Sequence, residues 1–463
     1  MKIVVLNGSP KGEISVTMQY IKYIQKKFPQ HQMQIINVCQ TIKVLERDER
    51  KFSEVIASVK NADGVIWAFP VVYFLVHSNY KRFIELIWER GVQKAFENKY
   101  TAVLSSSIHI FDNVAHDYMH AISDDLKMNY TGFFSVSMND LKDKVLRDRL
   151  FVFASDFFEE TADRIPTGRA YEPVAYQPVE YVPGKIASKI VSDCKRILII
   201  SDCPDEDSNL SKMTRRFQQL FTGTVERIDI NSMNIKGGCL GCVNCSFDNE
   251  CVYGDNDDIR KVYNEKIREA DIVVYCNRIV DRYFSSRWKL FYDRRFLNTH
   301  QPQMMNKQVG YIVSGPLGML PSLRETICFQ TETDHGNLAG VITDENKTSE
   351  EIDLLMDDFA KRIVTYAQKC YTAPSTFFGE GAGRSCRDLV WGEWRFIFQG
   401  DYRFYKKHGM HDFPHKNIGM RFMNLILSIL CKIPSFKKKI QNNAAKLNVR
   451  ELKELSKKMY ENV

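Results

Sequence analysis

The stretch Lys2-Ile3-Val4-Val5-Leu6-Asn7-Gly8-Ser9-Pro10-Lys11-Gly12-Glu13-Ile14-Ser15-Val16-Thr17 decides how the rest of the sequence is read. Lys2–Leu6 is a short apolar, β-branched run of the kind that fills a buried strand. Asn7-Gly8-Ser9-Pro10 is a turn, and from Met18 to Phe28 apolar residues recur at helical spacing. A strand that turns at once into a helix is the opening unit of an open α/β sheet, in which ligands bind beyond the carboxyl ends of the strands. The apolar run is too short for the core of a secretory signal, so the expected location is the cytoplasm.

Working outward, the same alternation continues. Strand-like runs at Gly64–Pro70, Thr101–Ser105 and Gly132–Ser137 join Lys2–Leu6 and Met33–Val38, and helical patterns at Met18–Phe28, Phe52–Asn61, Asn79–Phe96 and Ala115–Leu126 separate them. Five buried strands interleaved with amphipathic helices imply a doubly wound parallel sheet. The scheme then repeats at Arg196–Ser201, Thr224–Ile230, Asp271–Cys276, Gly310–Val313 and Gly340–Ile342. Landmarks recur about 200 residues apart, as Ala62-Asp63 does at Ala270-Asp271. Between the copies, Pro166, Pro173, Pro178 and Pro183 punctuate a stretch without helical period, which predicts an extended linker.

A length of 463 residues suits two or three domains, and 44% hydrophobic with 26% charged residues suits a globular chain. The formal charge of +7 is concentrated at one end: residues 371–463 hold seventeen Lys and Arg against eight Asp and Glu. The two halves are together near neutral, and no nucleic-acid partner is expected. In a reducing compartment the twelve cysteines are free thiols or metal ligands, not a disulfide framework.

The loop after the first strand lacks both the Walker ending and the G-x-G-x-x-G of dinucleotide folds. Ser9, Ser15 and Thr17 supply hydroxyls, Lys11 a cation, and the following helix free N–H groups, a set suited to a phosphate monoester. The same residues would also serve a plain strand-to-helix turn capped by Ser15. Gly8-Ser9-Pro10-Lys11 with Ser15 and Thr17 resembles the phosphate loop of the NAD(P)H-dependent FMN reductases and iron–sulfur flavoproteins. That resemblance extends to Pro70-Val71-Val72-Tyr73-Phe74, with Lys81 and Glu85 following, and to Ser105–Asp112. It implies two tandem flavodoxin-like domains and an FMN held by Ser9, Lys11, Ser15, Thr17, Pro70, Val71, Tyr73, Phe74, Ser106 and Ser107. Val72 stands where the family has tyrosine, so the ring contact would pass to Tyr73 or Phe74. His109 is expected near the flavin as a proton donor. His109, Asp112, His116 and His120 also suggest a metal, but only His116 and His120 share a helical face, and polar lining of the pocket is the expected role.

The second half contains Cys239-Leu240-Gly241-Cys242-Val243-Asn244-Cys245 and then Cys251. Three thiolates at two-residue spacing with a fourth nearby can wrap an iron–sulfur cube, whereas structural zinc more often uses two separated knuckles. The arrangement resembles the C-x2-C-x2-C-x5-C motif of iron–sulfur flavoproteins, with Asp257-Asp258, Lys289 and Asp293-Arg294 continuing the likeness. The expected metal ligands are Cys239, Cys242, Cys245 and Cys251, holding a 4Fe–4S cluster. Ser208-Asn209 matches the family phosphate loop in the second half, but Asp205, Glu206 and Asp207 stand beside it, where a phosphate would be repelled. Arg278 replaces the family proline.

The expected organisation is therefore 1–164, a flavodoxin-like FMN domain; 165–194, a proline-rich linker; 195–371, a flavodoxin-like domain with the cysteine cluster; and 372–463, a basic helical extension. In the last, Gly379–Gly383 reads as a loop. Ile418–Ile433 is apolar but too short to span a bilayer. A helix packed on the second domain is expected there in preference to membrane-surface contact through Lys437-Lys438-Lys439. The expected function is electron transfer from NAD(P)H or a ferredoxin-like donor, through FMN and the cluster, to a small-molecule acceptor. A non-enzymatic electron carrier and a zinc-stabilised binding module are the alternatives. The two halves would form a pseudo-dimer, with pairing of whole chains left open.

Overall fold

Ten parallel strands form two sheets of five in the computed structural model, which describes residues 1–192, 195–203, 205–392, 394–410 and 418–439. The first sheet comprises β1 (Lys2–Asn7), β2 (Gln32–Ile36), β3 (Gly64–Pro70), β4 (Tyr100–Ser106) and β5 (Asn129–Val136), ordered β2-β1-β3-β4-β5. The second comprises β6 (Ile197–Ser201), β7 (Val225–Asp229), β8 (Ile272–Arg278), β9 (Gln308–Ser314) and β10 (Asn337–Thr343), ordered β10-β9-β8-β6-β7. Read from its own first strand, each sheet has the order 2-1-3-4-5, the flavodoxin-like winding. Strand order reverses beside β1 in one half and β6 in the other, so the loops after these strands open onto the sheet crevice.

By contact density the chain divides into Met1–Phe404 and Tyr405–Val463. Within the first unit the halves share apolar core: Trp67, Phe69 and Tyr80 belong to the same buried cluster as Tyr275, Trp288 and Phe291. The helices Ser78–Glu89 and Ser286–Arg294 pack against each other across the joint. Each caps the other. Glu85 Oε1 accepts from the Ser286 N–H at 2.6 Å, and Asp293 Oδ2 accepts from the Ser78 N–H at 2.8 Å. An N-terminal helix turn leaves N–H groups unpaired and carries partial positive charge, so a carboxylate there is favourable. Lys81 and Lys289, both fully buried, neutralise these carboxylates. The repeated pattern is the internal two-fold expected of a pseudo-dimer.

The stretch 165–184 has no helix or strand, as the prolines predict, yet it is packed. Its Ala170 and Tyr171 N–H groups donate to Asp124, and Tyr181 is fully buried with its N–H on Asn209. In the first half, two α-helices were not foreseen, Val38–Arg47 and Lys144–Asp163. Val38 belongs to the first of these and not to β2. Gly379–Gly383 is corrected as well, since it lies inside the helix Phe377–Trp391. Glu332 explains it: its carboxylate accepts from Thr376 and from the Gly379 N–H, fixing a helix start that glycine content alone argues against.

In the second unit Ile418–Leu430 is a helix whose large apolar side chains are exposed. Pro204 of the second-half loop, Asp193-Cys194 of the linker and residues 440–463 of the extension lie outside the described residues.

Candidate functional site

The loop after β1 is built as a cradle. Ser9, Ser15 and Thr17 are buried, Lys11 is exposed at the rim, and Ser15 caps the helix Val16–Lys27 by accepting from the Met18 N–H at 3.3 Å. The Lys11 N–H donates to Ser9 Oγ, which holds the turn. Thr17 Oγ1 lies 2.7 Å from Ser106 Oγ, joining this loop to the one after β4. The Val71 N–H donates to the Ser106 carbonyl, so the loop after β3 is joined too. Three loops from three strand ends thus meet at one side of the first sheet.

The loop after β4 carries a polar network. Asp112 Oδ2 accepts from Ser107 Oγ at 2.7 Å and Ser135 Oγ at 2.8 Å, and His109 Nδ1 lies 3.2 Å away. Burial alone would raise the Asp112 carboxyl; the hydrogen bonds from Ser107, Ser135 and His109 together hold it below its usual range. His109 is half-exposed and reaches solvent while tethered. His116 bonds Ser105 and stacks on Phe133, whereas His120 stacks on Tyr130, so the histidines point to different neighbours. Among the described residues no three His, Cys, Asp or Glu side chains converge to hold a metal ion, in this cluster or elsewhere.

Tyr73 and Phe74 are spent on the joint between the halves. Tyr73 is stacked 5.8 Å from Tyr292 among the buried tyrosines of the second half, and Phe74 packs edge-on to Phe329 at 4.7 Å. Both hold left-handed backbone, φ 46° and 70°, a conformation that aromatic residues adopt only when packing imposes it. Lys289 Nζ donates to the Val72 carbonyl and fastens the loop from the other half. Pro70 and Val71 stay at the end of β3.

Cys239, Cys242, Cys245 and Cys251 line one cavity with Tyr253 and Arg294. Burial, with the neighbouring thiols adding to it in Cys245, pushes Cys239 up to about 11 and Cys245 up to about 12. Arg294 is held by a buried pair with Asp257 and lies over the Tyr253 ring, with Nη2 3.5 Å from Cys251 Sγ.

This cysteine loop rests on the first half. His77 Nδ1 accepts the Asn79 N–H, which leaves the ring proton on Nε2, 3.1 Å from the Cys239 carbonyl. Burial keeps the ring from protonating, lowering its pKa. Gly238 passes so close that a Cβ would stand 2.6 Å from the His77 ring, and one on Gly241 would stand 3.5 Å from Lys11 Cε. Lys43 Nζ reaches the Lys236 carbonyl. His77 and Lys43 were not singled out from sequence. His77 is legible there only as a residue at a helix start, because its partner is more than 160 residues away.

A family model described as NADPH-dependent FMN reductase matches residues 1–142 and 195–327, the first sheet and then β6 to β9 of the second. The chain belongs to that family. It is an FMN-dependent NAD(P)H oxidoreductase built as a tandem repeat. No curated protein matches the chain. Solved structures similar to it include an NADH:FMN oxidoreductase in its apo form, at 18% identity over 35% of this chain and 89% of that one, TM-score 0.29. Others are an FMN-dependent NADH-azoreductase of Bacillus anthracis in complex with FMN, at 17% identity over 36% and 99%, TM-score 0.25. A flavoenzyme NAD(P)H:(acceptor) oxidoreductase of Paracoccus denitrificans matches at 15% identity over 35% and 97%, TM-score 0.29.

The two halves of this FMN reductase do not fit the family's cofactor equally. In the first, buried hydroxyls, a helix N-terminus and Lys11 form a donor set matched to phosphate. In the second, the corresponding donors are already engaged by carboxylates of the chain. Asp344 accepts from Asn209 Nδ2, Ser314 Oγ and the Gly315 N–H, while Asp205 Oδ1 accepts from the Ser208 N–H. The Val179 carbonyl and Tyr181 N–H of the connecting segment occupy the rest of Asn209. Asp202, buried beneath, has its carboxyl pushed up to about 6 by burial. A phosphate at this place would meet anions and spent donors, so Ser208 and Asn209 do not fit the role expected of them.

Proposed function

We propose that this reductase holds one FMN in the first half and a 4Fe–4S cluster in the cysteine loop of the second, and moves electrons from NAD(P)H to a small acceptor. The observation that carries this reading is the seating of the cysteine loop against the first half, through His77 on Cys239 and Lys11 of the phosphate loop beside Gly241. FMN held by the first loop and a cluster held by the cysteine loop would then lie on adjoining segments of chain, as electron exchange between them requires.

Bound FMN would supply both two-electron hydride exchange and one-electron exchange with the cluster. Ser9, Ser15 and Thr17 would hold the phosphate, with Lys11 balancing its charge. Pro70, Val71, Ser106 and Ser107 would border the ring. Tyr73 and Phe74 have no part in ring contact on this reading; they brace the β3 loop against the second half. His109, tethered to Asp112 yet open to solvent, would keep a proton beside the acceptor. Cys239, Cys242, Cys245 and Cys251 would ligate the cluster, and Arg294 would donate toward Cys251.

Cys242→Ser tests the assignment, because Cys242 is the exposed member of the set and its replacement is expected to spare the buried core. The expected result is loss of iron–sulfur absorbance with FMN still bound at one per chain. Loss of both cofactors together would contradict separate sites. Sustained NAD(P)H oxidation by the purified protein is expected, whereas a pure electron carrier would stop after one equivalent.

A further inference from the structure

The helix Ile418–Leu430 presents Ile418, Phe422, Leu425 and Ile429 at 75%, 64%, 58% and 57% exposure. At 100° per residue, its polar positions Arg421, Asn424 and Ser428 fall on one narrow stripe, which Lys432 continues, and apolar side chains cover the remaining circumference. From Phe413 to Arg450 the sequence holds eight Lys and Arg and no Asp or Glu. Lys437, Lys438 and Lys439 close a second helical turn at 434–439 and are exposed.

We propose that this segment docks the chain on an anionic lipid surface, with the helix lying in the plane of the interface. Length excludes a span: thirteen residues rise about 20 Å, against about 30 Å of hydrocarbon, and no helix among the described residues is long and apolar enough to cross a membrane. The narrow polar stripe directs Arg421 and Lys432 toward headgroups while the wide apolar face enters the acyl boundary. The unbroken positive charge of the flanks selects lipid of opposite sign. An acidic protein groove would satisfy the lysines but offers no reason for an apolar face on nearly all sides.

Co-sedimentation of the full chain with phosphatidylcholine vesicles, with and without about a third phosphatidylglycerol, tests this. Binding is expected only with the anionic lipid, and weaker at high salt. Replacing Lys437, Lys438 and Lys439 by Gln should weaken it about a hundredfold, and Leu425→Glu with Ile426→Glu should abolish it. Both variants should keep wild-type FMN content, which confirms folding. The proposal is overturned if the wild type stays in the supernatant or if binding survives the glutamates. It is equally overturned if light scattering finds a dimer that they dissolve, since a second copy would then cover the face.

Discussion

Asp202 is a carboxyl whose environment works against its charge. It is buried at the end of β6, accepts from Ser285 Oγ and the Arg278 N–H, and has its pKa raised to about 6. An acid raised on folding binds its proton more tightly in the folded state. Its stabilising contribution is therefore present at low pH and is lost as pH rises through about 6. Between pH 5 and 7 this loss amounts to about 1 kcal/mol. In Asp202→Asn the loss should disappear, and urea unfolding of both proteins at the two pH values checks it; parallel pH dependences would contradict the assignment. His77 acts in the opposite sense, since burial keeps it neutral and its one proton is committed to Cys239. In His77→Phe the cysteine loop loses that hydrogen bond, and a severalfold faster loss of the proposed cluster's iron to a chelator is expected, with FMN content unchanged.

At the scale of elements, the strands were legible and their partners were not. Gly64–Pro70 emerges with its predicted limits because an uninterrupted apolar run has one comfortable place, the middle of a parallel sheet. β5 begins three residues before its predicted start because Asn129, Tyr130 and Thr131 lie on an edge, where polar residues are tolerated. Glu85 and Asp293 read in sequence as ordinary helix positions, yet each caps the other's helix from the far half. Tyr73 and Phe74 read in sequence as ring contacts, and their packing on Tyr292 and Phe329 of the far half is equally invisible there. Local pattern carries information about neighbours in sequence, and these residues are decided by contacts about 200 positions away. The helix pair gives a prediction. Lys81 is fully buried between Glu85 and Asp281, and Glu85 also has Arg82, so Lys81→Met leaves the Asp281 carboxylate without its cation and should cost about 3–5 kcal/mol. Adding Asp281→Leu should recover much of that in a double-mutant cycle; additive losses would show that the lysine does not serve this pair.

The whole molecule is a repeat whose copies have diverged in complementary directions. The first keeps the open phosphate loop, and the second carries the cysteines and fills its own loop with Asp344 and the connecting segment. A symmetric dimer would place two equivalent sites at its joint, whereas covalent linkage lets one site be kept and the other be given to packing. The sequence displays both losses, as three acidic residues in one loop and missing cysteines in the other half. It does not display that the linker is a strap, because prolines announce an extended backbone and not what it lies on. The most direct measurement is the visible spectrum of protein purified without oxygen, with flavin, iron and sulfide determined per chain. One FMN with four iron and four sulfide is the predicted composition. Two flavins per chain, or a yellow protein devoid of iron and sulfide, would contradict it.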